Sequence, residues 1–203
     1  KHLRVASKMY RKRYGSSKNK RGIIKDKVSI DDRLECINKK ERVGDWEIDT
    51  IVGKDNKGAI VTVAERATAF VLIAKLKGKN AQELAEAVVK LMMPFKKLFI
   101  SITSDNGTEF AMHKYISKKL GALFYFAHPY SSWERGLNEY TNRLIKQYIP
   151  KKTNFDDINS QYIYQITIKL NKRPRKKLKY NTPGKAFLNN FDNNVALASW
   201  IFA

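Results

Sequence analysis

Three apolar segments separated by short turns are the feature that most constrains the fold of this chain. Trp46–Val52 and Ala59–Ala64 flank the turn sequence Lys54–Gly58, and a third segment, Ala69–Leu76, follows closely. All three are rich in β-branched or aromatic residues and are bounded by turn-forming residues, which predicts β-strands. Three consecutive strands with short connections predict a β-meander at the start of the domain.

The rest of the chain alternates predicted helices with predicted strands. Asn80 is placed to cap the first helix, and Pro94 and Gly121 end the first two helices. The predicted elements are, in order, a helix over Ala81–Met93, a strand over Leu98–Thr103, a helix carrying Phe110, Ile116 and Leu120, a strand over Leu123–Phe126, and helices over Ser132–Tyr148 and Asp157–Leu170. This order predicts an α/β fold with a mixed five-stranded sheet flanked by helices.

The charge of the chain predicts a polyanionic partner. Its 203 residues include 40 Lys and Arg against 19 Asp and Glu, giving a net charge of +21 and a pI near 10.0. A highly soluble surface does not need an excess this large, and neutralisation of phosphates supplies most non-specific affinity for nucleic acids. The single Cys36 excludes an internal disulfide framework, and we find no apolar run that predicts a membrane span.

Three acids on separate predicted elements are candidates for binding a metal ion. Asp49 lies within the first strand, where Glu47 shares its face; Asp105 directly follows the fourth strand; and Glu139 lies on the helix after Pro129. Each has an ordinary alternative: a solvent-facing strand position, an Asp-Asn-Gly turn, and a surface ion pair with Arg143. Carboxylates converging from separate elements are the ligands that Mg²⁺ and Mn²⁺ prefer.

The blocks around these acids resemble the catalytic blocks of bacterial insertion-sequence transposases, most closely the insertion sequence thirty family. The four blocks, in order, are Gly44–Thr50, Ser104–Phe110, Pro129–Glu139, and Asn171–Arg175 with Tyr180–Pro183. The resemblance covers roughly 25–187, most of the chain. The separation between Asp105 and Glu139 is also similar to that of the family.

This resemblance implies a ribonuclease H-like fold and a DDE transposase, a polynucleotidyl transferase that cuts and rejoins DNA. It implies that Asp49, Asp105 and Glu139 hold two Mg²⁺ or Mn²⁺ ions, and that Lys146 touches the transposon-end DNA. The family's N-terminal helix-turn-helix region has no clear counterpart here, and the chain begins at Lys1 rather than Met, which is typical of a fragment.

The expected organisation is a basic arm over residues 1–40, a ribonuclease H-like catalytic domain over 41–190, and a tail over 191–203. We expect further DNA contacts from basic residues beside Glu139 and in the densest basic run, namely Arg135, Arg143, Lys172, Arg173 and Arg175. The expected partners are transposon-end and target DNA and further copies of the chain, in the bacterial cytoplasm near the nucleoid. The alternative is a non-catalytic DNA-binding protein with the same fold.

Aromatic residues near Glu139 allow two interpretations. Trp133, Leu137, Tyr140, Leu144 and Tyr148 recur at helical spacing, which predicts the buried face of that helix. We therefore expect Trp133 in the core. The alternative is that Trp133 and Tyr130 stack on an unpaired base.

Overall fold

A computed structural model describes residues 24–150 and 153–190. Most of the predicted basic arm, residues 1–23, and the predicted tail, residues 191–203, lie outside the described residues. No helix within the described ranges has the length and apolar character needed to cross a membrane.

A six-stranded mixed sheet forms the centre of the molecule. Its strands are β1 (Val28–Ser29), β2 (Asp45–Val52), β3 (Ala59–Glu65), β4 (Val71–Leu76), β5 (Ser101–Ser104) and β6 (Leu123–Phe126). They lie side by side in the order β1-β6-β5-β2-β3-β4. The first three long strands form the predicted antiparallel meander, whereas β5 pairs parallel with both β2 and β6.

Helices cover both faces of the sheet. They are α1 (Glu35–Lys39), α2 (Ala81–Met92), α3 (His113–Leu120), α4 (Gly136–Ile145), α5 (Ser160–Lys172) and α6 (Pro183–Leu188). Alternation along the strands explains the two cores, because Trp46 and Ile48 of β2 pack with α2 and α3 on one face. On the other face, Ile60 of β3 and Ile73 of β4 pack with apolar residues of α4 and α5.

The α/β fold class is confirmed, and the sheet has one strand more than predicted. The additional strand, β1, pairs parallel with β6 over only two residues, so it leaves no periodic signal in the sequence. Residues 24–40 of the predicted arm pack on the domain, since Ile24, Ile30 and Ile37 are buried. The boundaries of the arm and the tail stay a prediction.

The last helix, α6, also has no counterpart among the predicted elements. It spans only six residues, from Pro183 to Leu188, with Thr182 as its N-cap. Its Phe187 is fully buried and stacks on Phe70 with ring centroids 4.4 Å apart. A helix this short gives too few turns for a helical pattern, so its contribution to the core becomes visible only in three dimensions.

Candidate active site

Parallel pairing of β2 with β5 brings two of the predicted acids together. Glu47 pairs with Thr103, and Asp49 and Asp105 each stand two residues further along the chain. Asp49 lies in the second half of β2, and Asp105 directly follows Ser104, the last residue of β5. Neighbouring carboxyl ends of parallel strands are where ligand sites form in α/β sheets.

Arg135 lies between these two aspartates. Its Nη1 is 3.5 Å from Asp49 Oδ1, and its Nη2 is 3.4 Å from Asp105 Oδ2. Nη1 also donates a hydrogen bond to the carbonyl oxygen of Ile48 at 3.2 Å. One guanidinium therefore compensates two carboxylates that would otherwise repel each other.

Asp49 is held in one orientation by its neighbours. Asn142 of α4 donates from Nδ2 to Asp49 Oδ2 at 2.8 Å, and the backbone N–H of Thr50 donates to Oδ1 at 2.9 Å. Thr62, the cross-strand partner of Asp49, donates its hydroxyl to Asn142 Oδ1 at 3.1 Å. Burial raises the pKa of the Asp49 carboxyl above its usual value, Arg135 lowers this pKa, and Asp105 raises it.

Glu139 lines the same cavity as Asp49. The cavity has a volume of about 420 Å³, and its polar lining includes Asp49, Arg135, Glu139, Asn142 and Lys146. Asp105 lines an adjacent cavity that shares Ser132 and Arg135 with the first. Within residues 24–150 and 153–190, no three His, Cys, Asp or Glu side chains are grouped closely enough to hold a metal ion.

The donor chemistry nevertheless fits a hard divalent cation. Asp49 and Asp105 already converge on a single cationic group, and Glu139 projects from the helix that follows that group. All three offer carboxylate oxygens, the ligand type that Mg²⁺ and Mn²⁺ prefer. These three residues are the candidates for holding such an ion.

Glu47, the rival to Asp49, has a structural role. Its carboxylate is fully buried and accepts a hydrogen bond from Arg66 Nη1 at 2.7 Å, and Arg66 is itself only 2% exposed. Its second oxygen accepts from the backbone N–H of Asn138 at 2.9 Å, near the start of α4. Strand alternation could not separate Glu47 from Asp49, because both side chains point to the face that α4 covers.

A second buried acid, Glu109, joins β2 to the Asp105 loop. Thr50 donates its hydroxyl to Glu109 Oε1 at 2.8 Å, and Lys79 Nζ lies 3.0 Å from the same oxygen. A Cβ at Gly107 would stand only 2.4 Å from Glu109 Oε2, so glycine allows this close approach. The contact with Thr50 connects the segments that carry Asp49 and Asp105.

Hydrogen bonds of His128 hold the segment between β6 and α4 in place, and two aromatic side chains of that segment, Tyr130 and Trp133, are exposed. His128 makes hydrogen bonds through both ring nitrogens, with Glu134 at 2.8 Å and Asp31 at 2.9 Å. These two hydrogen bonds, with Glu134 the larger cause, raise the pKa of His128 above its usual value. Tyr130 has a positive φ of 65° and is 90% exposed.

The predicted core position of Trp133 is wrong, because Trp133 is 73% exposed. The α-helix begins at Gly136, and Trp133 lies before it in a 3₁₀ turn over Ser132–Arg135. The face of α4 that meets the sheet is partly polar, since Asn138 and Asn142 are buried over β2. Of the predicted apolar stripe, Leu144 is buried and Leu137 and Tyr148 pack against the core, whereas Trp133 and Tyr140 are exposed.

Several of the predicted DNA-binding residues form one basic surface beside the cavity, at the outer face of α4 and the end of α5. The guanidinium groups of Arg143 and Arg175 each stand 5.8 Å from the centre of the Tyr140 ring. Arg173 donates to Gln147 Oε1 at 3.4 Å. Lys172 is the last residue of α5, and Lys146 lines the cavity.

Comparison with known proteins finds relatives of this chain. No protein-family model matches the chain. It is 50% identical over 200 residues to the transposase for insertion sequence element IS4351 of Bacteroides fragilis, covering 98% of this chain and 61% of that protein. It is 35% identical over 185 residues to the transposase InsI for insertion sequence element IS30A of Escherichia coli K12, covering 90% of this chain and 48% of that protein.

The chain is related to the insertion-sequence transposases. The resemblance noted in the four sequence blocks is thereby confirmed, because the related elements include IS30A. The chain spans about half to three-fifths of the length of these transposases. A putative integrase, ORF3 of Spiroplasma virus SpV1-R8A2 B, is 29% identical over 191 residues, 93% of this chain and 58% of that protein.

A solved structure confirms the predicted ribonuclease H-like fold. The crystal structure of the catalytic core domain of BIV integrase superposes with a TM-score of 0.57 at 22% identity. The match covers 72% of this chain and 95% of that domain. The mixed sheet with helices on both faces is therefore the architecture of an integrase core.

Replacing Glu47 with Gln should destabilise the protein without removing a metal ligand. The change leaves Arg66 buried without its anionic partner, which typically costs about 3–5 kcal/mol. Urea unfolding followed by circular dichroism would measure the loss. Glu134→Gln, which removes a partly exposed acid of the same neighbourhood, is the control and should cost about 1 kcal/mol or less. Equal stability of Glu47→Gln and the original protein would contradict the assignment.

Proposed function

We propose that this chain is the catalytic part of a transposase that cleaves DNA at insertion-sequence ends and joins the freed ends to target DNA. The observation that carries the proposal is the convergence of Asp49, within β2, and Asp105, just past the end of β5, on one cationic group. Sequence similarity to named transposases over nearly the whole chain supports the same activity. The reaction class is phosphoryl transfer by a DDE enzyme.

In this proposal Asp49, Asp105 and Glu139 hold two Mg²⁺ or Mn²⁺ ions. Such a pair of ions supplies an activated water or 3′-hydroxyl and stabilisation of the leaving oxygen in an in-line displacement. Asn142 and the backbone of Thr50 keep the Asp49 carboxylate turned toward the cavity. Glu139 of α4 lines the same cavity and completes the set in this proposal.

The basic surface gives the DNA a path past the site. Lys146 stands on the cavity next to Glu139, and Arg143, Arg173 and Arg175 extend the positive charge along α4 and the end of α5. Arg and Lys neutralise phosphates without reading sequence, so this surface orients the backbone rather than selecting a site. The net charge of +21 favours the same partner.

Tyr130 and Trp133 suit contact with an unpaired base. Both are large, exposed aromatic side chains on the segment that borders Asp105, and Tyr130 is held outward by its left-handed backbone. Stacking on an exposed aromatic ring is tolerant of base identity. We therefore place DNA that is opened near the scissile phosphate beside this segment.

The assembly and the cellular location follow from the same activity. Joining two transposon ends to one target requires both ends to be held together, so we expect a homo-oligomer assembled on DNA. A bacterial element of this kind is expected to act in the cytoplasm, at the nucleoid. A non-catalytic DNA-binding protein with the same fold is the alternative function.

Loss of any one of the three acids should abolish DNA nicking while DNA binding persists. Supercoiled plasmid would be incubated with Mn²⁺ and either the original protein or the Asp49→Asn, Asp105→Asn or Glu139→Gln variant. We expect each variant to be slower by at least about a hundredfold, because it loses a direct ligand rather than an outer contact. EDTA should have the same effect.

Two results of this assay would contradict the proposal. Nicking that is unchanged in the variants would show that other residues, or a contaminant, cleave the DNA. Tight plasmid binding by the original protein with no metal-dependent nicking would favour the non-catalytic alternative. Glu86→Gln, a conservative change of an exposed acid on α2 at the opposite face of the sheet, is the control and should keep nicking within about threefold, as expected for a residue outside the metal site.

Single neutralisations on the basic surface should reduce the salt dependence of DNA binding. The slope of log affinity against log salt concentration should become shallower by about 0.9 for each phosphate that the variant no longer neutralises. Lys146→Gln and Arg173→Gln would be compared by fluorescence anisotropy with Lys118→Gln, an exposed lysine of α3 on the opposite face of the sheet. Equal slopes for all three variants would place the DNA elsewhere.

A further inference from the structure

We propose that Arg135 is a tethered counter-ion of the active site, whose guanidinium must leave Asp49 and Asp105 when a divalent cation binds these carboxylates. The inference rests on the proposed function, since it takes the two aspartates as metal ligands. It concerns a different residue and a different step, the exchange of one cation for another.

The first argument is that Arg135 contacts the atoms a metal ion would need. Its Nη1 lies near Oδ1 of Asp49, and its Nη2 lies near Oδ2 of Asp105, so each terminal nitrogen approaches one carboxylate. Divalent cations of this class bind the same oxygens at about 2.0–2.1 Å. A guanidinium and a divalent cation therefore cannot share these two oxygens without strong repulsion between like charges.

The second argument is that Arg135 is bound loosely compared with a structural arginine nearby. Its distances of 3.4 and 3.5 Å exceed the roughly 2.7–2.9 Å of a good charge-assisted hydrogen bond. Arg66, by contrast, stands 2.7 Å from the buried Glu47 and is built into the core. Two arginines that approach acids of the same strand thus differ in how firmly they are held.

The third argument is an unsatisfied donor. The Nε of Arg135 is buried and has no hydrogen-bond partner, and the guanidinium donates one hydrogen bond to a neutral group, the Ile48 carbonyl oxygen at 3.2 Å. A buried N–H without a partner carries a desolvation cost. The Nε of Arg66 is likewise buried without a partner, so this feature lowers the cost of moving Arg135 but does not set it apart from Arg66.

Displacement from the aspartates would also free the Arg135 guanidinium to contact DNA. Once released from the aspartates, its planar fork of donors is suited to bidentate contact with a DNA phosphate. Ser132 and Arg135 border both the Asp49–Glu139 cavity and the Asp105 cavity, so the side chain needs only to turn within the space next to it. Metal loading then frees the arginine that we expect to contact DNA.

The test is Mn²⁺ binding to the protein without DNA, measured by isothermal titration calorimetry. We expect Arg135→Gln to bind Mn²⁺ at least about tenfold more tightly than the original protein, because a competing charge at this distance is removed. Asp105→Asn should lose the site. Lys118→Gln, which removes one remote positive charge, should match the original protein.

The outcomes separate the inference from the proposed function. Binding that Asp105→Asn removes, with Arg135→Gln no tighter than the original protein, would overturn the inference and leave the metal site standing. No binding that depends on Asp105, in either the original protein or Arg135→Gln, would overturn both. Binding detected only in Arg135→Gln would support the inference most strongly.

A second measurement uses the original protein, in which Arg135 is unchanged. The Nε–Hε resonance of Arg135, assigned with an Arg135→Lys variant, would be followed by NMR during titration of the original protein with Mg²⁺. We expect this resonance to shift on binding, and to stay unchanged in Asp105→Asn. A constant resonance while the backbone amides of Asp49 and Asp105 shift would show that the guanidinium stays in place, and would overturn the proposal.

Discussion

The parallel pairing of β2 with β5 is the constraint on which the site depends. Because Glu47 lies opposite Thr103, the same register brings Asp49 and Asp105 together two residues further on. A slip of one residue would turn one of the two carboxylates to the other face of the sheet. The short β5 strand is fixed on its other side by β6, so the register is set from both directions.

Attachment of α4 to the sheet is the second requirement, and it is made by polar contacts at one end and apolar contacts at the other. Glu47, neutralised by Arg66, accepts the backbone N–H of Asn138, and Asn142 reaches Asp49. Leu144 and Ile145 pack in the apolar core further along. This two-ended attachment directs Glu139 and Lys146 toward one cavity, as the proposed metal and phosphate contacts require.

The element order along the chain could be predicted from the sequence, because apolar strands bounded by turn residues leave a clear pattern. The three acids were selected by the resemblance of their blocks, since each alone has an ordinary alternative, and their role as metal ligands stays a prediction. Glu47 and Asp49 could not be separated, since they share a face; only the position of Arg66 and α4 decides which one is enclosed. Trp133 was misplaced because helical periodicity assumes an apolar buried face. Here the buried face of α4 includes Asn138, whose backbone N–H donates to Glu47, and Asn142, whose side chain donates to Asp49.

The bridge from Arg135 to both aspartates could not have been derived from spacing. The sequence indicated a basic residue near Glu139 and hence a DNA contact, but the guanidinium turns inward to the acids. Such a contact depends on where α4 begins relative to the strand ends, a tertiary relation without a local signal. Glu109 is similar, since its partner Thr50 lies on a different element.

The most direct test of the metal-binding pair is a crystal structure of the protein grown with Mn²⁺, with anomalous scattering used to locate the ions. We expect an anomalous peak within about 2.2 Å of carboxylate oxygens from both Asp49 and Asp105, with the Arg135 guanidinium turned away from them. A peak bound by other residues, or none at this pair of strand ends while Arg135 still bridges the two carboxylates, would contradict the assignment of the site.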